Sequence, residues 1–196
     1  SAAAGVKGFL GGQYNYKKVD LRIEKRNYMG RLGYSDATLE GGYTFGQVPF
    51  PLLTVHRANQ TFAYQLNSYN MMNFLEFVSD RYASFTWVQH FMGIVFNRIP
   101  LLKKLKFREV ASLKILYGGV RNENNPVLNP SLFAYPTING VTSTFALDPA
   151  KPYIETSVGV ENIFNVLRVD FVKRLSYLDN PGISPYGIRT RFRFDF

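Results

Sequence analysis

Charged side chains of both signs recur at alternate positions in the last quarter of the chain. The set is Glu155, Glu161, Arg168, Asp170, Arg174, Arg189, Arg191 and Arg193. Residues of these types could line a selective lumen or a binding site, or they could pair across neighbouring strands and fill a polar interior. Acids and bases are interspersed, so the pattern favours a lattice of cross-strand ion pairs over a binding site.

The sequence offers little for catalysis or metal binding. The two histidines, His56 and His90, are far apart, there is no cysteine, and no cluster of carboxylates completes a metal set. No serine stands in a G-x-S-x-G elbow, and the glycine pairs lack the Lys-Ser/Thr ending of a phosphate loop. We therefore predict a protein that is not an enzyme, with no metal and no cofactor.

The net charge of +9 allows binding to nucleic acid, attraction to anionic lipid headgroups, or a charged lumen. A nucleic-acid-binding sheet needs aromatic side chains on the same face as its arginines. Here the two classes alternate, so they lie on opposite faces, and nucleic acid is not an expected partner. The 13 tyrosines and 17 phenylalanines would suit the two aromatic girdles of a membrane barrel, or the core of a soluble β-sandwich.

The elements that position these charges are predicted to be β-strands, because polarity alternates with period two. The clearest case is 186–196, where one face would carry Tyr186, Ile188, Thr190, Phe192, Phe194 and Phe196. The other face would carry Gly187, Arg189, Arg191, Arg193 and Asp195. Similar alternation predicts strands near 18–26, 31–45, 84–97, 107–119, 153–161 and 166–177. Most of these are longer than the usual five or six residues of soluble strands and suit a tilted membrane strand of about 9–11.

Two stretches have no clear period and are predicted to be long loops, at about 46–68 and 120–152. The former contains two prolines and could fold inward. Short turns near 98–104 and 162–165 would lie on the periplasmic side if the chain spans an outer membrane, and the 120–152 loop would then be extracellular. No apolar run is long enough for a transmembrane helix, and no signal peptide is evident at the first residues.

The terminal strand resembles the last strand of outer-membrane barrels, which commonly ends in phenylalanine. Assembly machinery could recognise such a strand by β-augmentation, because an unpaired edge offers backbone hydrogen bonds and alternate side-chain pockets. The residues predicted to form this assembly signal are Gly187, Phe192, Phe194 and Phe196.

About eight strands could close a small barrel or form half of a larger one. Three functions stay open at this point. The first is a non-enzymatic outer-membrane barrel acting in assembly, secretion or transport. The second is a passive channel or small-solute receptor, and the third is a soluble β-sandwich that binds an anionic ligand or nucleic acid.

Longer motifs add a family resemblance. They are 96–110 (FNRIPLLKKLKFREV), 116–124 (LYGGVRNEN), 159–164 (GVENIF), 49–53 (PFPLL), 56–60 (HRANQ) and 75–82 (LEFVSDRY). They resemble outer-membrane proteins that join a carboxypeptidase-regulatory-like periplasmic domain to a barrel of unassigned function. That group is similar to the BamA-like surface-antigen superfamily.

The resemblance implies an all-β fold in which 1–196 is the C-terminal half of a sixteen-stranded transmembrane β-barrel in a Gram-negative outer membrane. The implied partners are the lipid bilayer and lipopolysaccharide, the barrel-assembly machinery during folding, and other envelope proteins. Insertase members carry Val-Arg-Gly followed by Phe or Tyr in the loop that enters the lumen. The comparable region here reads Val55-His56-Arg57-Ala58 and lacks that motif.

Overall fold

The chain forms one large antiparallel sheet with a long inserted segment packed against it. In the computed structural model, residues 1–8, 13–138 and 140–192 are described. Four residues of the predicted terminal strand, Arg193, Phe194, Asp195 and Phe196, lie outside the described residues. None of the described helices is long and apolar enough to cross a membrane.

Thirteen strands and one short helix are described. The strands are β1 (Ala2–Gly5), β2 (Tyr16–Tyr28), β3 (Tyr34–Phe45), β4 (Thr54–Val55), β5 (Phe77–Ser79), β6 (Arg81–His90), β7 (Arg108–Gly119), β8 (Thr137–Ile138), β9 (Val141–Thr142), β10 (Phe145–Ala146), β11 (Tyr153–Ile163), β12 (Leu167–Arg174) and β13 (Tyr186–Phe192). The helix is α1 (Pro100–Lys104). Short 3₁₀ turns occupy Gly30–Leu32, Phe50–Leu52, Phe96–Arg98 and Asn122–Asn124.

The main sheet has eight strands in the order β1-β2-β3-β6-β7-β11-β12-β13, and every neighbouring pair is antiparallel. The prediction of an all-β fold with about eight antiparallel strands is confirmed. Among the described residues the sheet is open, with β1 and β13 at its two edges. Two small sheets, β10-β5-β4 and β8-β9, accompany it.

The two faces of the main sheet differ in polarity and in burial. Register places apolar side chains on one face, which we call the outer face. Its large exposed members include Val19, Leu21, Ile23, Leu39, Phe45, Phe85, Tyr117, Val158, Phe171, Tyr186, Ile188 and Phe192. The opposite, inner face carries the charges, many of them buried. This is the reverse of a soluble sheet, whose apolar face is the one that packs on a core.

Segment 46–80, between β3 and β6, covers the inner face. It contacts strands from one side of the sheet to the other, since Asn67 accepts a hydrogen bond from Arg22 of β2 (2.9 Å) and the Asn70 carbonyl accepts one from Arg189 of β13 (3.0 Å). Its apolar side chains make a core against the sheet, consisting of Tyr69, Met72 and Phe77 with Leu116, Leu147 and Tyr153. The segment extends twelve residues beyond the predicted end of the 46–68 loop and contains β4 and β5.

The predicted strand 84–97 is wrong beyond His90, where β6 ends. Gly93 takes a positive φ of 82°, and the amides of Val95 and Phe96 donate to the Glu109 carboxylate (2.8 and 2.5 Å) instead of to a neighbouring strand. The predicted strand 166–177 similarly ends at Arg174. Tyr177 lies beyond it with a φ of 54°, which an extended strand does not allow.

The 120–152 stretch is not a plain loop, because it carries the two-stranded β8-β9 hairpin and β10. β10 pairs in parallel with β5, so this stretch is attached to the inserted segment. The connections at the opposite end of the sheet are residues 29–33, 91–107 and 164–166, each of which joins sequential strands.

Candidate functional site

The candidate site is the interface between the inner face and segment 46–80. Seven charged side chains there are at most 6% exposed: Glu76, Asp80, Lys114, Glu155, Arg168, Asp170 and Arg174. A charge this deeply buried is costly unless it is paired and hydrogen-bonded. Each of the seven has such partners.

Arg174 and Glu76 form the most enclosed pair. Arg174, near the end of β12, donates from both terminal nitrogens to the two Glu76 oxygens (2.8 and 2.6 Å). Its remaining donors reach the carbonyls of Ser176 (2.9 Å), Tyr177 (2.8 Å) and Met71 (3.3 Å). The guanidinium also lies 4.9 Å from the centre of the Tyr153 ring, a cation–π contact. The pair joins the sheet to the inserted segment.

Glu155 of β11 is a second attachment point. Its two oxygens accept hydrogen bonds from the backbone amides of Asn70 (2.9 Å) and Met71 (3.1 Å) and from the Tyr153 hydroxyl (3.1 Å). Across the strands, Lys114 of β7 lies 3.5 Å from the Glu155 carboxylate. The Lys114 ammonium also donates to two carbonyls of the segment, so both charges hold the segment's backbone.

A third group is centred on Asp170. Arg168, two positions earlier on the same face of β12, binds both its oxygens (2.6 and 2.8 Å). Ser157 of β11 donates to Asp170 (3.2 Å), and the Arg168 guanidinium lies 4.5 Å from the Tyr64 ring of the segment. Gly159 faces the same carboxylate, and a Cβ there would lie 2.8 Å from an Asp170 oxygen. This glycine therefore marks a crowded position of the inner face.

Asp80 fastens the end of segment 46–80 to the 120–152 stretch. One of its oxygens accepts from the backbone amide of Arg121 (3.0 Å), the Arg121 side chain (2.9 Å) and Asn124 (2.7 Å). Nearby, buried His56 hydrogen-bonds with Ser79 (2.7 Å between Nε2 and Oγ). Burial first, and then the positive charges of Arg57 and Lys18, lower the pKa of His56 to about 3. His56 is therefore neutral at neutral pH.

The inner face of β2 and β3 is more open. Arg57 of the segment binds both oxygens of Glu40 (2.8 and 2.7 Å), which also pairs with Arg22. These side chains line a cleft of about 460 Å³ that also includes Lys18 and Asp20. A second cleft of about 590 Å³ lies at the end bearing the 91–107 connection, where His90 pairs with Glu161 (2.9 Å). Leu66 of the segment lines both clefts.

The structure brings most of the predicted charged set to this interface. Glu155, Arg168, Asp170 and Arg174 are buried there, Arg189 is half-buried against Asn70, and Glu161 and Arg191 line the second cleft. Arg193 lies outside the described residues. The ion-pair partners differ from those predicted for a lattice of cross-strand pairs. Arg174 binds Glu76 of the segment, and Asp170 binds Arg168 of its own strand. The covering segment brings acceptors within reach that a bare sheet lacks.

Of the predicted assembly signal, Gly187 and Phe192 are described. Phe192 is an exposed residue of the outer face, whereas Gly187 lies on the inner face against Met71. Phe194 and Phe196 lie outside the described residues. Their role in assembly stays a prediction.

Sequence reasoning did not identify Glu76, Asp80 or Tyr64 as members of this interface. All three lie in or beside the segment without period, where alternation carries no information. Lys114 could have been found, because it falls on the polar alternate set of β7 together with Arg108 and Ser112. Among the described residues, no group of three His, Asp or Glu side chains is arranged to hold a metal ion.

The comparison with protein families gives one match. Residues 1–125, about two thirds of the chain, match the C-terminal domain of a family of unknown function, DUF5686. The chain belongs to this family. No curated protein and no solved structure matches it. The matched residues include β1 to β7 and the whole of segment 46–80, so the match covers the inserted segment and five of the eight strands of the main sheet, whereas β11, β12 and β13 lie beyond it.

Proposed function

We propose that this DUF5686 domain is the C-terminal part of a β-barrel embedded in the outer membrane of a Gram-negative bacterium, with segment 46–80 as its internal plug. The observation that carries the proposal is the inverted polarity of the sheet. Apolar side chains such as Val158 (61% exposed) and Ile188 (63% exposed) face outward, while Arg174 and Asp170 are completely buried. A transmembrane barrel needs this arrangement, because lipid solvates the outside and polar groups fill the lumen.

A soluble β-sandwich fits the same strands less well. Its two sheets would bury the apolar face between them, and charged side chains would point to water. Here the segment that packs on the sheet packs on the charged face. The long strands also support a membrane barrel, since β2 has 13 residues and β3 and β7 have 12 each.

The role we propose is non-enzymatic, in the assembly, secretion or transport of envelope components. This role is supported by the way segment 46–80 is held in place. Its buried ion pairs with the sheet would keep the lumen closed, and a partner or substrate could replace them with polar contacts of its own. These pairs do not form a catalytic arrangement. The bilayer, lipopolysaccharide and the barrel-assembly machinery are the proposed partners. Pairing of the edges β1 and β13 with further strands, as in a sixteen-stranded barrel, is part of this proposal, and a strand beside β13 would replace Phe62 and Tyr64 as backbone partners of Thr190.

A passive channel is the second candidate, favoured by the two charged clefts that share Leu66 as a lining residue. Conduction would require segment 46–80 to move, because the segment and its buried ion pairs cover the inner face of the sheet. In planar bilayers, the channel predicts steps of current that increase when Arg57→Ala and Glu40→Ala loosen the segment. If these variants carry no current and the chain co-purifies with assembly components, the role in assembly, secretion or transport is supported instead.

The membrane proposal is tested by heat-modifiable migration of the chain in detergent gels. A folded barrel resists detergent and migrates differently before and after boiling. We expect the chain to require detergent for solubility and to show this shift. Solubility without detergent and identical migration in both states would refute the proposal.

A further inference from the structure

The 91–107 connection between β6 and β7 carries a concentration of positive charge. Its sequence contains Arg98, Lys103, Lys104 and Lys106 and no acidic residue. All four basic residues are exposed. We call this connection the basic turn. The connections 29–33 and 164–166 at the same end of the sheet are much shorter, so the basic turn forms most of the surface at that end.

The basic turn also exposes large apolar side chains. They are Met92 (54%), Val95 (54%), Ile99 (44%), Leu101 (66%) and Leu105 (44%). The Leu105 amide donates to the Leu101 carbonyl and closes one helical turn, which places both leucines on the same side of α1. Exposed apolar groups beside lysines are the composition of segments that lie in a membrane interface.

The basic turn is held in a defined conformation. Glu109 of β7 accepts the amides of Val95 and Phe96, and Asn162 donates to the Lys106 carbonyl (2.8 Å). Glu109 is the acidic residue nearest to the basic turn in sequence, and one of its oxygens accepts both of these backbone amides. The basic turn therefore has a net positive charge on a backbone that is held in place.

We propose that the basic turn is an interfacial anchor that seats in the headgroups of an anionic phospholipid leaflet. This inference rests on the proposed membrane barrel. The outer apolar face of β6 and β7, which includes Trp87, runs directly into the basic turn, so the lipid that covers that face would meet these lysines at its headgroups. Charge complementarity selects the anionic phospholipid, since each lysine near such a surface gains about 1 kcal/mol, or about fivefold in affinity.

Tryptophan fluorescence separates this inference from the proposal on which it rests, because the chain has a single tryptophan. Two proteins are reconstituted into mixed bilayers: the native chain, reporting from Trp87, and Trp87→Phe/Leu101→Trp, reporting from the basic turn. Bromine quenchers are attached to the acyl chains either of phosphatidylglycerol or of phosphatidylcholine. We expect quenching of both indoles, and at position 101 a several-fold preference for brominated phosphatidylglycerol that weakens at high ionic strength.

The triple substitution K103Q/K104Q/K106Q in the reporter protein should remove most of this preference, because each lysine that contacts headgroups contributes up to about fivefold. The matched control K7Q/K17Q/K151Q removes three exposed lysines at the other end of the sheet and should leave it unchanged. Quenching of Trp87 without quenching at position 101 overturns the anchor and leaves the membrane proposal intact. Equal quenching by both lipids, or shielding of position 101 only by an added acidic protein, also overturns it. Absence of quenching at Trp87 refutes both.

Discussion

Arg174 and Glu76 lie 98 positions apart in the chain and are joined by two hydrogen bonds of 2.8 and 2.6 Å, with both side chains buried. This pair links the last third of the sheet to the inserted segment. Asn180 also donates to Glu76 (2.8 Å), and the amide of Asn73 donates to its other oxygen (2.9 Å). The carboxylate is therefore the centre of a polar cluster, and loss of either Arg174 or Glu76 leaves the other as a buried charge without its counter-charge.

Arg174→Met should strongly destabilise the chain, because it leaves the Glu76 carboxylate buried without its cation. Removing one partner of a buried pair costs about 3–5 kcal/mol. The double variant Arg174→Met/Glu76→Leu should lose less than Arg174→Met alone. Free energies of unfolding measured by urea titration in detergent provide the test. The control is Arg22→Met, whose ion pairs are partly exposed and should be worth about 0–1 kcal/mol. Equal losses for Arg174→Met and Arg22→Met would show that the buried pair does not hold the segment.

Val158→Arg tests the outer face at the middle of β11. Val158 lies between Ala111 and Phe171 on the neighbouring strands and is 61% exposed. In a bilayer, an arginine at mid-depth should lower the free energy of unfolding by about 2–4 kcal/mol. Val127→Arg is the matched control, since Val127 is 75% exposed in the 120–152 stretch and should tolerate the charge. The measurement is unfolding of both variants in lipid vesicles, and equal stabilities would contradict a lipid-facing outer face.

His56 predicts a loss of stability in mild acid. Burial lowers its pKa to about 3 in the folded chain, whereas the unfolded chain titrates near the ordinary value of about 6.5. The stability that depends on neutral His56 is therefore complete above pH 6.5. It is lost as the pH falls from 6.5 towards 3, by up to about 1.4 kcal/mol per pH unit. The native chain should lose stability more steeply than His56→Gln between pH 6.5 and 5. Parallel slopes for the two proteins would mean that His56 does not stay neutral in the folded state.

The edge of β13 should be open to cross-linking with the inserted segment. Thr190 exchanges two backbone hydrogen bonds with this segment, donating to the Phe62 carbonyl (3.0 Å) and accepting from the Tyr64 amide (2.6 Å). Ala63 is thus paired with Thr190. Because the chain has no cysteine, Ala63→Cys/Thr190→Cys should form a single disulfide on mild oxidation, detected by gel mobility before and after reduction.

The matched control is Ala63→Cys/Phe192→Cys, which moves the second thiol two residues along the strand, beyond the roughly 7 Å that a disulfide can span between Cα atoms. If further barrel strands pair with β13, as proposed, adding them should also suppress the Ala63→Cys/Thr190→Cys disulfide. Equal cross-linking of the two pairs would show that the segment is not fixed on this edge.

The sequence by itself determined seven of the eight strands of the main sheet and their faces, whereas β1, with the sequence AAAG, has no alternation to predict it. Side chains alternate strictly along a strand, so the positions of Leu39, Val158 and Phe171 followed from period two alone and agree with the register. The same rule placed Arg168, Asp170 and Arg174 together on one face. Strand ends were less predictable, since the end of β6 depends on Gly93 and on the capture of two amides by Glu109 from another strand.

Only the tertiary structure decided what covers the charged face. Segment 46–80 has no period, so nothing local indicates that it packs across the sheet or that Glu76 and Tyr64 reach the charges of β12. A buried charged side chain pairs with the group that best neutralises its charge and completes its hydrogen bonds. The overall fold brings that group close to it. Alternation therefore fixed which way each charge points, and long-range packing fixed the group to which it is bonded.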